Sequence, residues 1–282
     1  MILNLKRKKA LDIVKEGINN IALIILMALF IVPFIWMLST SLKSGVEVTQ
    51  FPPSLLPESP QFKNFSDAWS TGDFTSYIFN SVFITVAILI LQIVTIVPAA
   101  YAFAKKKFKG SKLLFGMVLC GLMIPSQITF LPLYIFFSKA RLIDTYIPLI
   151  FPFMASAFGI FFITQSFKQI PEDIIEAARL DKASELKIMY KIMLPMAKPA
   201  VITFMLFSFI THWNDYFWVL TMTNSKLYRT LPIAVATLSQ TEGVRSWHII
   251  MAGNVLLVLP ILLIYLIANK KIKQAFTYMG LK

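Results

Sequence analysis

Among the polar residues inside the long apolar stretches of this chain, Asn80, Gln92, Gln127, Thr129, His212, Asn214 and Asp215 are candidates to build a solute path. Polar groups are costly among hydrocarbon neighbours, so they turn toward a bundle interior or a polar cavity. Amides, hydroxyls and one carboxylate suit hydrogen bonding to a polar solute. Trp213 beside them offers an apolar face of the kind that stacks on a sugar ring. Asn80, Gln127, Trp213, Asn214 and Asp215 are therefore candidates to line a path or gate. For Asn80 and Gln127 the alternative is hydrogen bonding between neighbouring helices. For His212 the alternatives are titration near physiological pH and a structural hydrogen bond. Metal and disulfide chemistry are poorly supplied: Cys120 is the only cysteine, and His212 and His248 are far apart in sequence.

The second constellation lies between Lys168 and Ala200. Pro171 followed by Glu172 and Asp173 predicts a helix over 171–180, because proline and acids are favoured in a first turn. Asp181 is the expected N-cap of a second helix over 182–193. The first helix sets Ile174, Ala177 and Ala178 on one face, where small side chains admit close approach by another protein's groove. The second carries a stripe of Leu186, Met189, Tyr190 and Met193, expected to pack on the bundle. An amphipathic pair merely touching lipid headgroups is the other reading of this loop.

Six apolar stretches must position these residues: about 18–41, 77–104, 113–137, 146–167, 200–222 and 248–268. Each is long enough to cross a bilayer. The chain has 282 residues, 57% hydrophobic and only 15% charged, against about 25% charged in soluble domains. That composition excludes a disordered chain, a collagen and a soluble nucleic-acid binder, despite a net charge of +13. If residues 1–17 lie inside, then 105–112, 168–199 and 269–282 do too. These four segments hold 20 of the 27 Lys and Arg. The bias predicts cytoplasmic termini, with 42–76, 138–145 and 223–247 outside. The first stretch reads as a retained signal-anchor, since no small-residue cleavage site follows it. The loop over 42–76 holds four prolines, Phe62, Phe65 and Trp69, and is expected to be an ordered cap with or without an external partner. Prolines within five of the six stretches predict kinks, their freed carbonyls satisfied by neighbours.

Glu176-Ala177-Ala178, Asp181 and Ile192-Met193-Leu194-Pro195 resemble the EAA signature of ABC-importer permease subunits, E-A-A-x3-G-x9-I-x-L-P. The family's glycine falls on Lys182. A lysine continues a helix readily but takes a left-handed turn only at a cost, so this departure bears on the bend between the two helices. The wider chain resembles the six-span, maltose-type inner subunit of the carbohydrate-uptake permeases. The likeness runs through Ser41-Leu42-Lys43, Asn80-Ser81, Ala100-Tyr101-Ala102-Phe103-Ala104, Phe108-Lys109-Gly110, Ile124-Pro125, Pro132-Leu133-Tyr134, Trp213-Asn214-Asp215 and Gly280-Leu281-Lys282. The family's usual glycine near Ala275 is a second departure.

The resemblance implies an all-α integral membrane protein, with a six-span permease domain over 18–268 and short cytoplasmic segments, 1–17 and 269–282. It implies a bacterial cytoplasmic membrane and import of a sugar. It further implies that Glu176, Ala177, Ala178, Asp181 and Lys182 contact a separate ATPase that binds ATP and Mg. The implied partners are a second homologous permease, two ATPase subunits, an extracytoplasmic solute-binding protein and membrane lipid, with no nucleic acid. The chain contains no G-x4-G-K-[ST] phosphate loop, so no ATP hydrolysis and no cofactor are expected in it. The competing expectation is a self-sufficient secondary transporter or channel. Asp215 as the sole acid within the six stretches argues against it. A membrane enzyme would want a His/Cys/Asp/Glu cluster at one face, and none is visible in the sequence.

Overall fold

The computed structural model describes residues 2–71, 74–239 and 246–280, with side chains over 15–71, 74–239 and 246–269. Leu281 and Lys282, the end of the tail motif, lie outside the described residues. Every regular element described is helical. The chain divides into two compact units, Met1–Gly72 with Thr237–Leu256, and Asp73–Ala236 with Leu257–Lys282.

The first unit contains α1 (Ile2–Ser41), α2 (Gly45–Thr49) and α3 (Lys63–Thr71). The Lys15–Ser41 part of α1 is long and apolar enough to cross a membrane, and nothing in its apolar window is buried. A surface of that kind is stable only against lipid or another protein. The proline-rich segment that follows is tied down over its described residues. Asn64 Nδ2 donates to the Ser41 and Lys43 carbonyls at 2.9 and 2.8 Å. The Lys43 ammonium donates to the Ser54 carbonyl and sits 4.8 Å over the Trp36 ring. The Glu47 carboxylate accepts the Glu58 N–H at 2.9 Å.

The second unit is built on α4 (Phe74–Lys105), whose apolar window is about one-third buried. Next come α5 (Ser111–Met123) and α6 (Ser126–Lys139). Gly110 precedes α5 at φ +84°, a left-handed conformation that favours glycine. The sequence predicts one span over 113–137, kinked at its prolines; the structure bends it by 97° between α5 and α6. Ile124 is extended because Pro125 disfavours a helical residue before it, and Pro125 then starts α6.

The fourth stretch is also interrupted: α7 (Ile147–Ile150), a 3-10 turn (Phe151–Phe153), then α8 (Ala157–Lys168). Pro152 has no N–H to give the Pro148 carbonyl four residues earlier. Trp218 Nε1 fills that bond at 2.8 Å. Gln92 Nε2 donates to the Phe153 carbonyl at 3.0 Å and Thr95 Oγ1 to the Met154 carbonyl at 2.6 Å. The expected satisfaction of proline-freed carbonyls by neighbours is thus seen here atom by atom. Irregular backbone inside a bilayer requires such partners.

Then follow α9 (Glu172–Leu180), α10 (Glu185–Lys187), a π-helical turn (Ile188–Met193), α11 (Leu194–Met196), α12 (Lys198–Trp213) and α13 (Phe217–Met222). The expected fifth stretch, 200–222, is not one helix. It stops at Trp213 and restarts at Phe217, where the Asp215 carboxylate accepts the Trp218 N–H at 3.1 Å. That local bond competes with helix continuation. Only with the bent Glu185–Met196 segment, 82° away, does α12 reach crossing length. The last elements are α14 (Leu231–Leu238), an apolar helix in what reads as a connecting loop, and α15 (Trp247–Gly280). Among the described residues four helices can span a membrane by length and composition, and up to six if each bent pair is one span.

Among the described residues of the second unit, two apolar cores stand out. One joins the C-terminal half of α4 to α8, α9, the π turn and α12 through Ile96, Ile163, Phe167, Ile175, Ile188, Met193 and Phe204. The other joins the first half of α4 to α6, α7, α13 and α14 through Ile84, Ile88, Phe137, Leu149, Met222 and Ile233. In the first core Gly159 of α8 approaches so closely that a Cβ would stand 2.6 Å from Ile96 Cδ1 and from Phe204 Cζ.

Candidate functional site

The breaks in the helices converge on a cavity of about 680 Å3 in the second unit. The bend at Pro125 delivers Ser126 and Gln127 to its wall. The break after α12 delivers His212, Asn214 and Asp215, and the break before α8 delivers Phe153 and Ser156. Phe130, Phe217 and Trp218 supply aromatic wall, Phe130 packing edge-on against Trp218 at 5.6 Å between centroids. The polar contribution is amide, hydroxyl and imidazole, with one carboxylate. Gln92 also lines the cavity, but both ends of its amide are engaged: it accepts from Ser208 Oγ at 2.6 Å as well as donating to Phe153. Its role there is to hold the wall.

Of the five sequence-derived path residues, Gln127, Asn214 and Asp215 meet in this cavity. Asn80 and Trp213 are not among its lining residues. Asn80 is buried, donates to the Leu227 and Arg229 carbonyls at 2.8 and 2.9 Å, and accepts from the Tyr146 hydroxyl at 2.7 Å. It pins the segment before α14, which Ser81 also pins by accepting the Leu231 N–H at 2.8 Å. Trp213 is buried too, its Nε1 donating to the Leu257 carbonyl at 3.0 Å and its ring stacked on Phe209. Its apolar face is spent on packing, which residue type alone does not reveal. Thr129, whose hydroxyl donates to the Ser126 carbonyl at 3.0 Å, is not among the lining residues either.

The loop between α8 and α12 forms a second candidate surface. Glu172 and Asp173 start α9 as expected. The bend after α9 is made by Lys182 itself, at φ +57°. The lysine thus takes the left-handed conformation that the glycine of the resembled signature would take without a Cβ penalty. Asp181 is not the cap of the next helix. It ends α9, and Ser184 caps α10 by accepting the Lys187 N–H at 3.3 Å. The expected faces shift accordingly. In α9, on the face expected to stay open to a partner, Ala177 is exposed, as is Glu176 beside it, but Ala178 is buried together with Ile175. In the following helix Ile188, Met189 and Met193 are buried, but Leu186 is 67% exposed. The left-handed residue delays the helix start, and the wide π turn then breaks the 3.6-residue stripe. Leu180, 84% exposed, and Leu186 thus stand out as apolar side chains near Ala177 in sequence.

This loop is braced to the end of α4. Glu185 accepts from the Tyr101 hydroxyl, pairs with Lys106 at 2.7 Å, and lies 3.5 Å from Arg179. Glu172 pairs with Lys105 at 3.2 Å, and Lys105 also donates to the Ile170 carbonyl at 2.6 Å. The Lys106 ammonium and then the Tyr101 hydroxyl hold the Glu185 carboxyl below the usual carboxylate range. Tyr101, Lys105 and Lys106 are more than 60 residues from their partners in the loop, so no local pattern announces this brace.

Fold and site together define a helical, multi-pass membrane protein with a cavity of mixed aromatic and polar lining among broken spans. Residues 96–278 match the model of the binding-protein-dependent transport system inner membrane component family. The chain belongs to that family, the permease subunits of ABC importers. It is 31% identical over 260 residues to the diacetylchitobiose uptake permease of Streptomyces coelicolor, covering 91% of this chain and 85% of that one. It is likewise 31% identical over 241 residues to the arabinooligosaccharide transport permease of Halalkalibacterium halodurans, covering 86% and 85%. Among solved structures it resembles a bacterial ABC transporter that imports the acidic polysaccharide alginate. The TM-score is 0.84 at 25% identity, over 92% of this chain and 96% of that one.

Proposed function

We propose that this chain is one permease half of an ATP-driven sugar importer, and that its solute is an oligosaccharide. The observation that carries this reading is the cavity, where amides, hydroxyls and a carboxylate alternate with aromatic faces. A pyranose or furanose presents hydroxyls at its edge and C–H groups on its face, and such a wall matches both. The relatives named for diacetylchitobiose and arabinooligosaccharides support the same class. Gln127, Asn214 and Asp215 contact the solute or gate it, while Asn80 and Trp213 position the wall around them.

The α9–α10 loop lies on the cytoplasmic side with both termini, as the distribution of Lys and Arg supports. Glu176, Ala177, Asp181 and Lys182, with Leu180 and Leu186, dock on a separate ATPase. Ala178 supports that surface from beneath. The ATPase supplies the ATP and Mg chemistry. The complex contains a second permease, two ATPase subunits and an extracytoplasmic solute-binding protein, in a bacterial cytoplasmic membrane. The segment over 42–76 faces the outside.

Tagging the chain and extracting it mildly from native membranes tests the assembly. Co-purification of an ATPase and a second multi-span permease is the expected result. A chain that purifies alone and moves solute in vesicles without ATP would instead be a self-sufficient transporter.

A further inference from the structure

The cavity contains no lysine and no arginine among its lining residues. Its one formal charge is the Asp215 carboxylate, held at the wall by the Trp218 N–H it accepts at 3.1 Å. The opposing feature is the start of α6, where Ser126 and Gln127 reach the same cavity. A helix N-terminus carries only about half a positive charge, so the full charge on Asp215 dominates. A uronate or phosphate entering this space would meet like charge with no cation among these lining residues to pair it, and like charges repel. A neutral sugar meets an acceptor for two hydroxyls instead. The alginate importer, whose fold this chain resembles, takes an acidic polysaccharide.

We infer that this cavity admits uncharged sugars and rejects anionic ones, and that Asp215 is the specificity-determining residue. The inference rests on the cavity being the solute path. Asn214, whose side-chain amide donates to the Ile210 carbonyl at 2.8 Å, orients the turn that presents Asp215.

The test is direct solute binding to the purified importer complex without its binding protein, which removes that protein's own selectivity. The probes are radiolabelled arabinotriose and diacetylchitobiose as neutral sugars, and trigalacturonate as the anionic one. Wild-type complex should retain a neutral probe at least tenfold more tightly than trigalacturonate. Asp215→Asn keeps the acceptor for Trp218 and should reduce that ratio at least tenfold. Asp215→Lys should invert the preference. Equal retention of both classes by wild type, or a ratio unchanged in Asp215→Asn, overturns the inference while the importer reading stands. Retention of none of the three probes, in a complex that also transports none of them with its binding protein, overturns both.

Discussion

Lys182 shows at a single residue how a side chain can be forced into a conformation it disfavours. At φ +57° its Cβ crowds the following carbonyl, at a cost of roughly 1–2 kcal/mol. Lys182→Gly relieves that crowding, and glycine's greater freedom in the unfolded chain offsets part of the gain. A net stabilisation of about 0.5–1 kcal/mol is expected, read as a higher thermal inactivation temperature of the detergent-extracted complex. Lower stability of Lys182→Gly would mean that the lysine has a contact worth more than its strain. Glu185 offers a pH test. Its carboxyl titrates below the ordinary glutamate value when folded, so its stabilising contribution is complete above that value. The contribution is lost as pH falls through the lower, folded value. Hydrogen exchange in the α9–α10 loop should therefore differ between wild type and Glu185→Gln by a constant amount from pH 6 to 8. The difference should shrink as pH falls below the ordinary glutamate value and vanish below the lower, folded one. A difference that grows on acidification would place the brace on another group.

Among the elements, the packing of α4, α8 and α12 depends on a missing side chain. A Cβ on Gly159 would lie 2.6 Å from two neighbouring side chains, and both would have to move. Gly159→Leu is expected to destabilise the unit by about 3 kcal/mol or more, the upper range for overpacking, and to abolish recovery of assembled complex. Recovery at the wild-type level would show that α8 moves aside freely. The broken span between α7 and α8 supplies a milder case. Trp218→Phe keeps most of the ring but removes the donor to the Pro148 carbonyl, leaving a buried acceptor unpaired for a cost of about 1–3 kcal/mol. Because Trp218 also lines the cavity, solute affinity should fall together with thermal stability. An affinity loss with stability intact would mean that Trp218 contacts solute directly and that its bond to Pro148 is dispensable.

For the whole molecule, the proposed orientation is open to labelling. Cys120 is the only cysteine, so Cys120→Ser gives a clean background. In that background a cysteine replacing Phe51, 91% exposed, should react with an impermeant maleimide added outside intact cells. One replacing exposed Lys182 should react only after the membrane is opened. The reverse pattern would invert the topology and remove the α9–α10 loop from any cytoplasmic partner. The bare apolar surface of α1 belongs to this scale as well: among the described residues its apolar window is not buried.

The sequence by itself determined the features that depend on composition and near neighbours. Long uncharged stretches must enter lipid whatever their packing, and a proline-led acidic start makes α9 a helix wherever it lies. The side of the membrane on which each loop lies is an expectation drawn from counting Lys and Arg. Tertiary structure decided what depends on residues far apart. Asn80 and Asn214 are alike as polar residues in apolar runs, yet Asn80 is consumed by Leu227, Arg229 and Tyr146 while Asn214 reaches the cavity. Trp213 and Trp218 are five residues apart, and only the second lines the cavity. The bends at Pro125 and beyond Trp213 place half of each interrupted span at the cavity. A proline announces that a helix may break; the direction of the break is set by the partners that take up the freed carbonyls, and those partners come from other helices.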